Sequence, residues 1–429
     1  KTTMNNKKGI FALSPLIVFV TLYVVSSIIA NDFYKMPISV AFMLASIYAV
    51  ATSKGSMTER INTFSHGAGT PGIMLMLWVF VLAGAFAAAA KSIGCIDSTV
   101  GLMLSVVPGG MLLPGLFLTT CFVSMAIGTS VGCIVALVPI AAGLATATGD
   151  NLPLYVGVVV GGAFFGDNLS FISDTTIAAT PSQGCKMNDK FKANAFIAFP
   201  AAAIVLVAYA LLGQTAPPST NLPEVSYIKI LPYLTVIVAA LYGLNVMTVL
   251  TLGIVLTGII GICSGTIGIY DWFENMGSGI TGMGELIIIT MLAGGLFEIV
   301  KKNGGIDYII GKATAHIHGK RGGEMTIGAL VAMVDVCTAN NTVAIITVSG
   351  IAQQISRKFG IDSRRTASLL DTFSCFMQGI IPYGAQMLMA AGLAHISPME
   401  IMPYLYYPFT LGAIAVASII FRLPRSYAR

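Results

Sequence analysis

The chain has 429 residues, of which 56% are hydrophobic and only 10% are charged, and its mean hydropathy is +0.85. Soluble globular proteins carry about 25% charged residues, so this composition excludes a soluble enzyme and predicts an all-α polytopic membrane protein. The net charge of +5 does not indicate a nucleic-acid partner, because the basic residues are scattered between apolar stretches. The seven cysteines follow no metal-binding spacing.

Apolar stretches of membrane-spanning length occur in two series along the chain. The first series, 1–213, has spans within 10–91, a helical hairpin at 111–148, a broken helix at 152–180 and a last span at 193–213. A linker at 214–228, predicted to lie outside the cell, leads to the second series. This series, 229–429, has spans within 229–300, a hairpin at 323–356, a broken helix at 362–394 and a last span at 400–421.

The two series are similar in sequence, which indicates a tandem duplication. Leu82-Ala83-Gly84 matches Leu292-Ala293-Gly294 at a shift of 210 (294 − 84). After a slip of two residues, Gly128-Thr129-Ser130 aligns with Asn340-Asn341-Thr342 at a shift of 212 (340 − 128). Each copy crosses the membrane an odd number of times, whether its hairpin is re-entrant or spans fully. The copies are therefore predicted to be inverted, as in many secondary transporters.

The distribution of basic residues predicts the orientation of the chain. With the N-terminus inside, only Lys35, Lys91 and Lys229 of the 23 Lys and Arg residues fall outside, so 20 (23 − 3) lie on the cytoplasmic side. This agrees with the excess of basic residues in cytoplasmic loops. Both termini are predicted to be cytoplasmic.

Two polar runs interrupt apolar segments at equivalent places in the two copies. Residues 166–176 read Gly-Asp-Asn-Leu-Ser-Phe-Ile-Ser-Asp-Thr-Thr, and residues 378–384 read Gln-Gly-Ile-Ile-Pro-Tyr-Gly. Hydrocarbon offers no hydrogen-bond partners, so such runs line protein or a water-filled cavity. With the hairpin tips and the buried acids they form the candidate ion- or substrate-binding residues: Gly128, Thr129, Ser130, Asp167, Asn168, Ser170, Ser173, Asp174, Thr175, Thr176, Asp335, Asn340, Asn341, Thr342, Asp371 and Gln378.

The chemistry of these residues favours a small cation. No Lys or Arg is predicted at the same depth, and carboxylate, hydroxyl and carbonyl oxygens suit Na⁺. We therefore hypothesise that Asp167 and Asp174 are Na⁺ ligands that also accept H⁺, and we expect no other cofactor. Structural roles remain open, because Asp174 could cap a helix, Asp335 could orient the second hairpin tip, and Asp371 could make a structural hydrogen bond.

Residues 166–176 resemble the GD-x-x-SPISDTT motif of the NhaC family of Na⁺/H⁺ antiporters, with Phe171 where that family usually has Pro. The resemblance extends over most of the chain. It implies an ion-transporter fold whose hairpins and broken helices move as an elevator against a dimeric scaffold. A homodimer in a bacterial inner membrane is therefore expected. That family also includes exchangers of organic acids, such as malate for lactate, and relatives similar to amino-acid permeases.

The first hypothesis is a secondary antiporter that exchanges cytoplasmic Na⁺ for external H⁺ by alternating access. The alternative is a Na⁺- or H⁺-coupled carrier or exchanger of a small carboxylate or amino acid, which the absence of a deep Arg disfavours. An intramembrane aspartyl protease and a channel are also disfavoured, because alternating access explains an inverted duplication better than either.

Overall fold

The computed structural model describes residues 6–30, 36–171, 173–213, 225–315 and 317–424, and all regular secondary structure in them is helical. The helices before residue 214 are α1 (Asn6–Ala30), α2 (Ile38–Thr52), α3 (Met57–Ala68), α4 (Pro71–Ser92), α5 (Cys95–Val106), α6 (Leu112–Ile127), α7 (Ser130–Thr148), α8 (Leu152–Leu169), α9 (Asp174–Gln183) and α10 (Met187–Gly213). The later helices are α11 (Tyr227–Leu241), α12 (Val246–Cys263), α13 (Ile269–Gly282), α14 (Gly284–Lys302), α15 (Gly305–Thr314), α16 (Gly319–Thr338), α17 (Asn341–Phe359), α18 (Ser363–Gln378), α19 (Ala385–Ala394), α20 (Pro398–Ile401) and α21 (Tyr406–Ile420). Most of the predicted linker 214–228, and Lys35, lie outside the described residues.

Seven helical stretches of the described residues are long and apolar enough to cross a membrane. They are Pro71–Ser92, Gly109–Ile127, Ser130–Thr148, Leu152–Gln183, Met187–Gly213, Val246–Cys263 and Ile269–Lys302. The pair Pro398–Tyr404 and Tyr406–Ile420, bent by 54°, makes an eighth if it is one span. The prediction of an all-α polytopic membrane protein is thus confirmed.

Two helix pairs and two interrupted helices surround the middle of the structure. The pair α6 and α7 packs on α8, and the pair α16 and α17 packs on α18. Nearly every residue of α8 is buried, because this helix is apolar on all sides and is enclosed by α6, α7, α10 and α21. The first interruption begins later than the sequence predicted: α8 continues through Gly166 and ends at Leu169, and the described residues between it and α9 are Ser170, Phe171 and Ser173.

Two short amphipathic helices, α3 and α13, were not predicted from hydropathy, because each has a polar face and neither is long enough to span alone; α13 opens the apolar stretch Ile269–Lys302. A capping box starts α3, in which Ser56 Oγ accepts from the backbone of Glu59 and the Glu59 carboxylate accepts from the backbone of Ser56. Helix α3 packs on α14, and α13 packs on α4. The α4–α13 contact is close, since a Cβ on Gly84 would lie 2.4 Å from the carbonyl oxygen of Gly279.

The helices follow the same order in the two halves of the chain. Helices α7, α8 and α9 begin at residues 130, 152 and 174, whereas α17, α18 and α19 begin at 341, 363 and 385. Each start is 211 residues later (341 − 130, 363 − 152 and 385 − 174). This regularity brings the two interrupted helices, α8–α9 and α18–α19, to the same place in each half.

Candidate functional site

The tips of both helix pairs meet the end of α8 at Asp167. Ser130, the first residue of α7, donates from Oγ to Asp167 Oδ2 at 3.0 Å. Asn341, the first residue of α17, donates from Nδ2 to the same oxygen at 3.4 Å. All three side chains are buried. One carboxylate thus accepts hydrogen bonds from both halves of the chain.

Glycines allow this close approach. Gly128 ends α6 with a φ of 75°, a left-handed conformation that glycine adopts without strain. A Cβ on Gly166 would lie 2.3 Å from the Cβ of Ser124 and 2.4 Å from the backbone nitrogen of Met125. Only glycine at position 166 lets α8 lie against α6, and this contact places Asp167 beside the first tip.

Hydroxyl groups satisfy the backbone of the first interruption. Ser173 Oγ donates to the carbonyl oxygen of Asp167 at 2.9 Å and accepts from the backbone nitrogen of Thr176, which caps α9. Thr176 Oγ1 donates to the carbonyl oxygen of Ser170 at 2.7 Å, and Thr175 Oγ1 lies 3.1 Å from Ser173 Oγ. The interruption is therefore held by internal hydrogen bonds, as non-helical backbone in a membrane requires.

Asp167 is a buried acid without a basic partner. Its side chain is 5% exposed, and it forms no ion pair with any described Lys or Arg. Both of its donors reach Oδ2, so Oδ1 accepts no hydrogen bond from the described residues. Burying an uncompensated carboxylate is costly, so this oxygen favours a bound cation or a proton.

A buried lysine shows that the expectation of a site without bases was wrong. Lys190, on α10, is 1% exposed, and its Nζ lies 2.7 Å from Oδ2 of Asp371. The ammonium also donates to the carbonyl oxygen of Asn168 at 2.9 Å and to Thr176 Oγ1. The prediction failed because residues 186–192 are rich in lysine next to a span, a pattern typical of a cytoplasmic loop.

Two asparagines complete the surroundings of Asp371. Asn194 Nδ2 donates to Asp371 Oδ2 at 2.6 Å and to the carbonyl oxygen of Asn168 at 2.9 Å. Asn168 Nδ2 donates to Asp371 Oδ2 at 3.2 Å and to Thr372 Oγ1 at 3.3 Å. Lys190 and Asp371 thus form a neutral, hydrogen-bonded pair that joins the two halves. Among the buried aspartates, this leaves Asp167 and Asp335 without a basic partner in the described part of the chain.

Gln378 reaches Asp167 through a second glutamine. Gln378 Nε2 donates to Gln386 Oε1 at 2.8 Å, and Gln386 Nε2 donates to Ser130 Oγ at 3.1 Å. Ser130 in turn donates to Asp167. The end of α18 is therefore linked by a chain of hydrogen bonds to the carboxylate at the end of α8.

Some predicted residues lie apart from this network. Asp174 is exposed at the start of α9. Asn340 caps α17 by accepting from the backbone of Val343 at 3.0 Å, and Thr129 and Thr342 are half-buried in the turns. The described residues contain no group of three or more His, Cys, Asp or Glu side chains able to hold a metal.

Four residues of the network were not predicted from the sequence: Lys190, Asn194, Thr372 and Gln386. Lys190 and Asn194 are four residues apart and share one face of α10, but this spacing is the same whether that face meets water or protein, so it did not identify them. Gln386 lies in α19, which was predicted only as the second half of the broken helix 362–394. Its amide is the only polar side chain among the residues Ala385–Ala394.

Polar residues enclosed between helix interruptions inside an all-helical membrane protein are the arrangement of a membrane transporter. The sequence model of the Na⁺/H⁺ antiporter family matches residues 5–214 and 220–423. The chain therefore belongs to the Na⁺/H⁺ antiporter family, and the resemblance inferred from residues 166–176 is confirmed.

Two curated relatives are similar over much of the chain. The malate-2H⁺/Na⁺-lactate antiporter of Bacillus subtilis is 21% identical over 428 residues, which cover 90% of this chain and 89% of the relative. The Na⁺/H⁺ antiporter NhaC of Alkalihalophilus pseudofirmus is 23% identical over 300 residues, which cover 62% of this chain and 64% of the relative. Among solved structures, the YdaH transporter of Alcanivorax borkumensis aligns with a TM-score of 0.42 at 12% identity, covering 96% of this chain and 99% of that chain.

Proposed function

We propose that the protein is a secondary antiporter that exports cytoplasmic Na⁺ in exchange for external H⁺, with Asp167 as the carboxylate that both ions share. The Oδ1 atom of Asp167, which accepts no hydrogen bond from the described residues although the residue is only 5% exposed, carries this proposal. A cation or proton neutralises the acid, whereas an empty site would leave a bare charge in low dielectric. Only the loaded carrier then reorients readily, so Na⁺ leaves in one direction and H⁺ enters in the other.

The architecture proposed for this cycle is a pair of inverted repeats. The 211-residue offset of matching helices supports the repeat, and an odd number of crossings in each copy makes the copies inverted. In the proposed cycle the interrupted helices and the hairpins move together as an elevator, against a scaffold that forms a homodimer. Alternating access in such folds is largely a rigid-body motion around a fixed site.

Both termini are proposed to lie in the cytoplasm of a bacterium, with the chain in the inner membrane. The positive-inside pattern of the loops supports this orientation. Two residues no longer count toward it, because Lys190 and Arg365 are buried and paired with Asp371 and Glu324. The remaining basic residues keep the same bias.

Sodium-dependent proton movement in proteoliposomes tests the role of Asp167. Asp167→Asn should abolish exchange at every pH, because an amide neither takes up a proton nor offsets the charge of Na⁺. Asp174→Asn should raise the Na⁺ concentration for half-maximal exchange but keep the maximal rate, because Asp174 is exposed.

Glu298→Gln is the matched control, since it removes a carboxylate whose nearest ionic partner is the exposed Lys301. Full exchange by Asp167→Asn would refute the proposal. Complete loss in Asp174→Asn would instead assign that residue as a direct ligand.

Exchange of a small carboxylate is the second candidate function, because the similar Bacillus subtilis protein is a malate-2H⁺/Na⁺-lactate antiporter. The site argues against it. The ammonium of Lys190 has three donors, and Asp371, Asn168 and Thr176 already accept from it. No donor of Lys190 is left for a substrate carboxylate. Thermal stabilisation by Na⁺ but not by malate, lactate or amino acids would favour the antiporter of inorganic cations.

A further inference from the structure

A second buried carboxylate lies near the tip of the second hairpin. Asp335, in the last turn of α16, is 0% exposed, and neither of its oxygens accepts a hydrogen bond from the described residues. It also forms no ion pair with any of them. Burying a charged group in this way is costly unless another group compensates it.

The side-chain oxygen of Gln378 is also buried without a donor from the described residues. Its orientation is fixed, because Nε2 donates both to the carbonyl oxygen of Ala339 at 3.2 Å and to Gln386 Oε1 at 2.8 Å. Turning the amide would place its oxygen against two acceptors. The oxygens of Asp335 and Gln378 are therefore buried acceptors that make no hydrogen bond with any described residue, with only the backbone N–H groups of Asn340 and Gln378 near the carboxylate, and a cation would supply the missing partner.

The backbone adds to the negative character of this region. Helix α16 ends at Thr338 and α18 ends at Gln378, and the Gln378–Ala339 hydrogen bond brings the two C-terminal ends together. Helix C-terminal ends carry a partial negative charge and favour cations.

We propose that the Asp335 carboxylate and the side-chain oxygen of Gln378 hold a monovalent cation of the size of Na⁺, at a site separate from Asp167. One carboxylate with neutral oxygens suits a monovalent ion better than Ca²⁺, which takes six to eight oxygen ligands and usually several carboxylates. The choice of Na⁺ rests on the proposed function, whereas the existence of the site rests on the unpaired acceptors.

The two sites are connected. Gln378 donates to Gln386, which donates to Ser130, which donates to Asp167. A cation at Gln378 Oε1 polarises this amide, which strengthens the hydrogen bond from its Nε2 to Gln386 Oε1 and, through Gln386, the position of Ser130 at Asp167. Occupancy of the Asp335 site therefore strengthens binding at the Asp167 site, and by reciprocity the reverse also holds.

Equilibrium binding of radioactive Na⁺ to the purified full-length protein in lipid nanodiscs tests this proposal, with choline replacing Na⁺ to hold ionic strength constant. The wild type should bind two ions per chain. Asp335→Asn and Asp167→Asn should each bind one, with affinity at the remaining site lowered. Glu298→Gln should match the wild type, because its carboxylate is partly exposed and distant from both sites in the hydrogen-bond network.

A second variant guards against misfolding of Asp335→Asn. Gln378→Met removes the oxygen but keeps the volume and leaves the Asp335 charge, so one site should weaken by at least about tenfold, or 1.4 kcal/mol. Unchanged stoichiometry and affinity in both variants would overturn the proposal, and so would a wild type that binds one ion lost only in Asp167→Asn. If the wild type shows no exchange of Na⁺ for H⁺ while Asp335→Asn still loses a bound ion, the proposed function fails and this second site stands; if Asp167→Asn keeps exchange, only the role of Asp167 fails.

Discussion

The ion pair between Lys190 and Asp371 gives the most direct quantitative prediction. At 2.7 Å and an effective dielectric constant of about 20, the gross attraction between the two charges is about 6 kcal/mol. Desolvation offsets much of this energy. Removing one partner, however, leaves the other charged and buried, which destabilises a protein by about 3–5 kcal/mol. Lys190→Met and Asp371→Asn should therefore each lower the free energy of unfolding by about that amount.

The double variant separates the pair from its surroundings. In Lys190→Met/Asp371→Asn no isolated charge remains, so the loss should be much smaller than the sum of the two single losses. The coupling energy from the four proteins should be at least about 2 kcal/mol. The control cycle uses Lys301 and Glu298, whose side chains are 60% and 26% exposed. Its coupling should stay below about 1 kcal/mol.

Unfolding by sodium dodecyl sulfate in mixed micelles, followed by circular dichroism, measures these free energies. A coupling below about 1 kcal/mol for Lys190 and Asp371 would equal that of a surface pair. The account of a neutral, buried link between the halves would then be refuted.

Two further predictions concern packing and pH. Gly166→Ala should lower the free energy of unfolding by about 1–3 kcal/mol, because the added methyl group would meet the side chain of Ser124. Gly350→Ala is the control: nothing lies within 4 Å of its added atom, so it should be neutral or stabilising in the same unfolding assay. The Arg364 guanidinium, bonded to Asp362 in the loop before α18, holds the pKa of that carboxyl below its usual value. Because its pKa is lower in the folded state, this carboxylate stabilises the protein above its unfolded pKa of about 3.9, and the stabilisation is lost as the pH falls. Asp362→Asn should therefore make the free energy of unfolding less dependent on pH in the acid range. An unchanged pH dependence would contradict this role of Asp362.

The fold was predictable where hydropathy alone decides it. Apolar runs gave the long spans, and helix-breaking residues placed the interruptions within a few residues. The start of the first interruption was wrong because Gly166 suggested a break, whereas glycine there serves the close contact with Ser124 and stays helical. Helices α3 and α13 were not predicted, because packing on α14 and α4 stabilises them and the local sequence does not show this packing.

The site was predictable in part. Asp167, Ser130 and Asn341 could be grouped because the repeat places polar tips opposite polar breaks. Lys190 could not, because a lysine beside a span has the same local sequence whether it faces water or turns inward to Asp371. The partner that decides between the two lies in the other half of the chain, and only tertiary packing brings it near.

That separation also sets the order in which the protein matures. Lys190 enters the membrane with the first half, before the ribosome has made the helix that carries Asp371. An unpaired ammonium is expensive among lipid chains, so the base of α10 must stay at the water interface until α18 arrives. The hydrogen-bonded network around Lys190 and Asp371 is thus one of the last parts to assemble, and a nascent chain that stops after α10 lacks the carboxylate that pairs with Lys190.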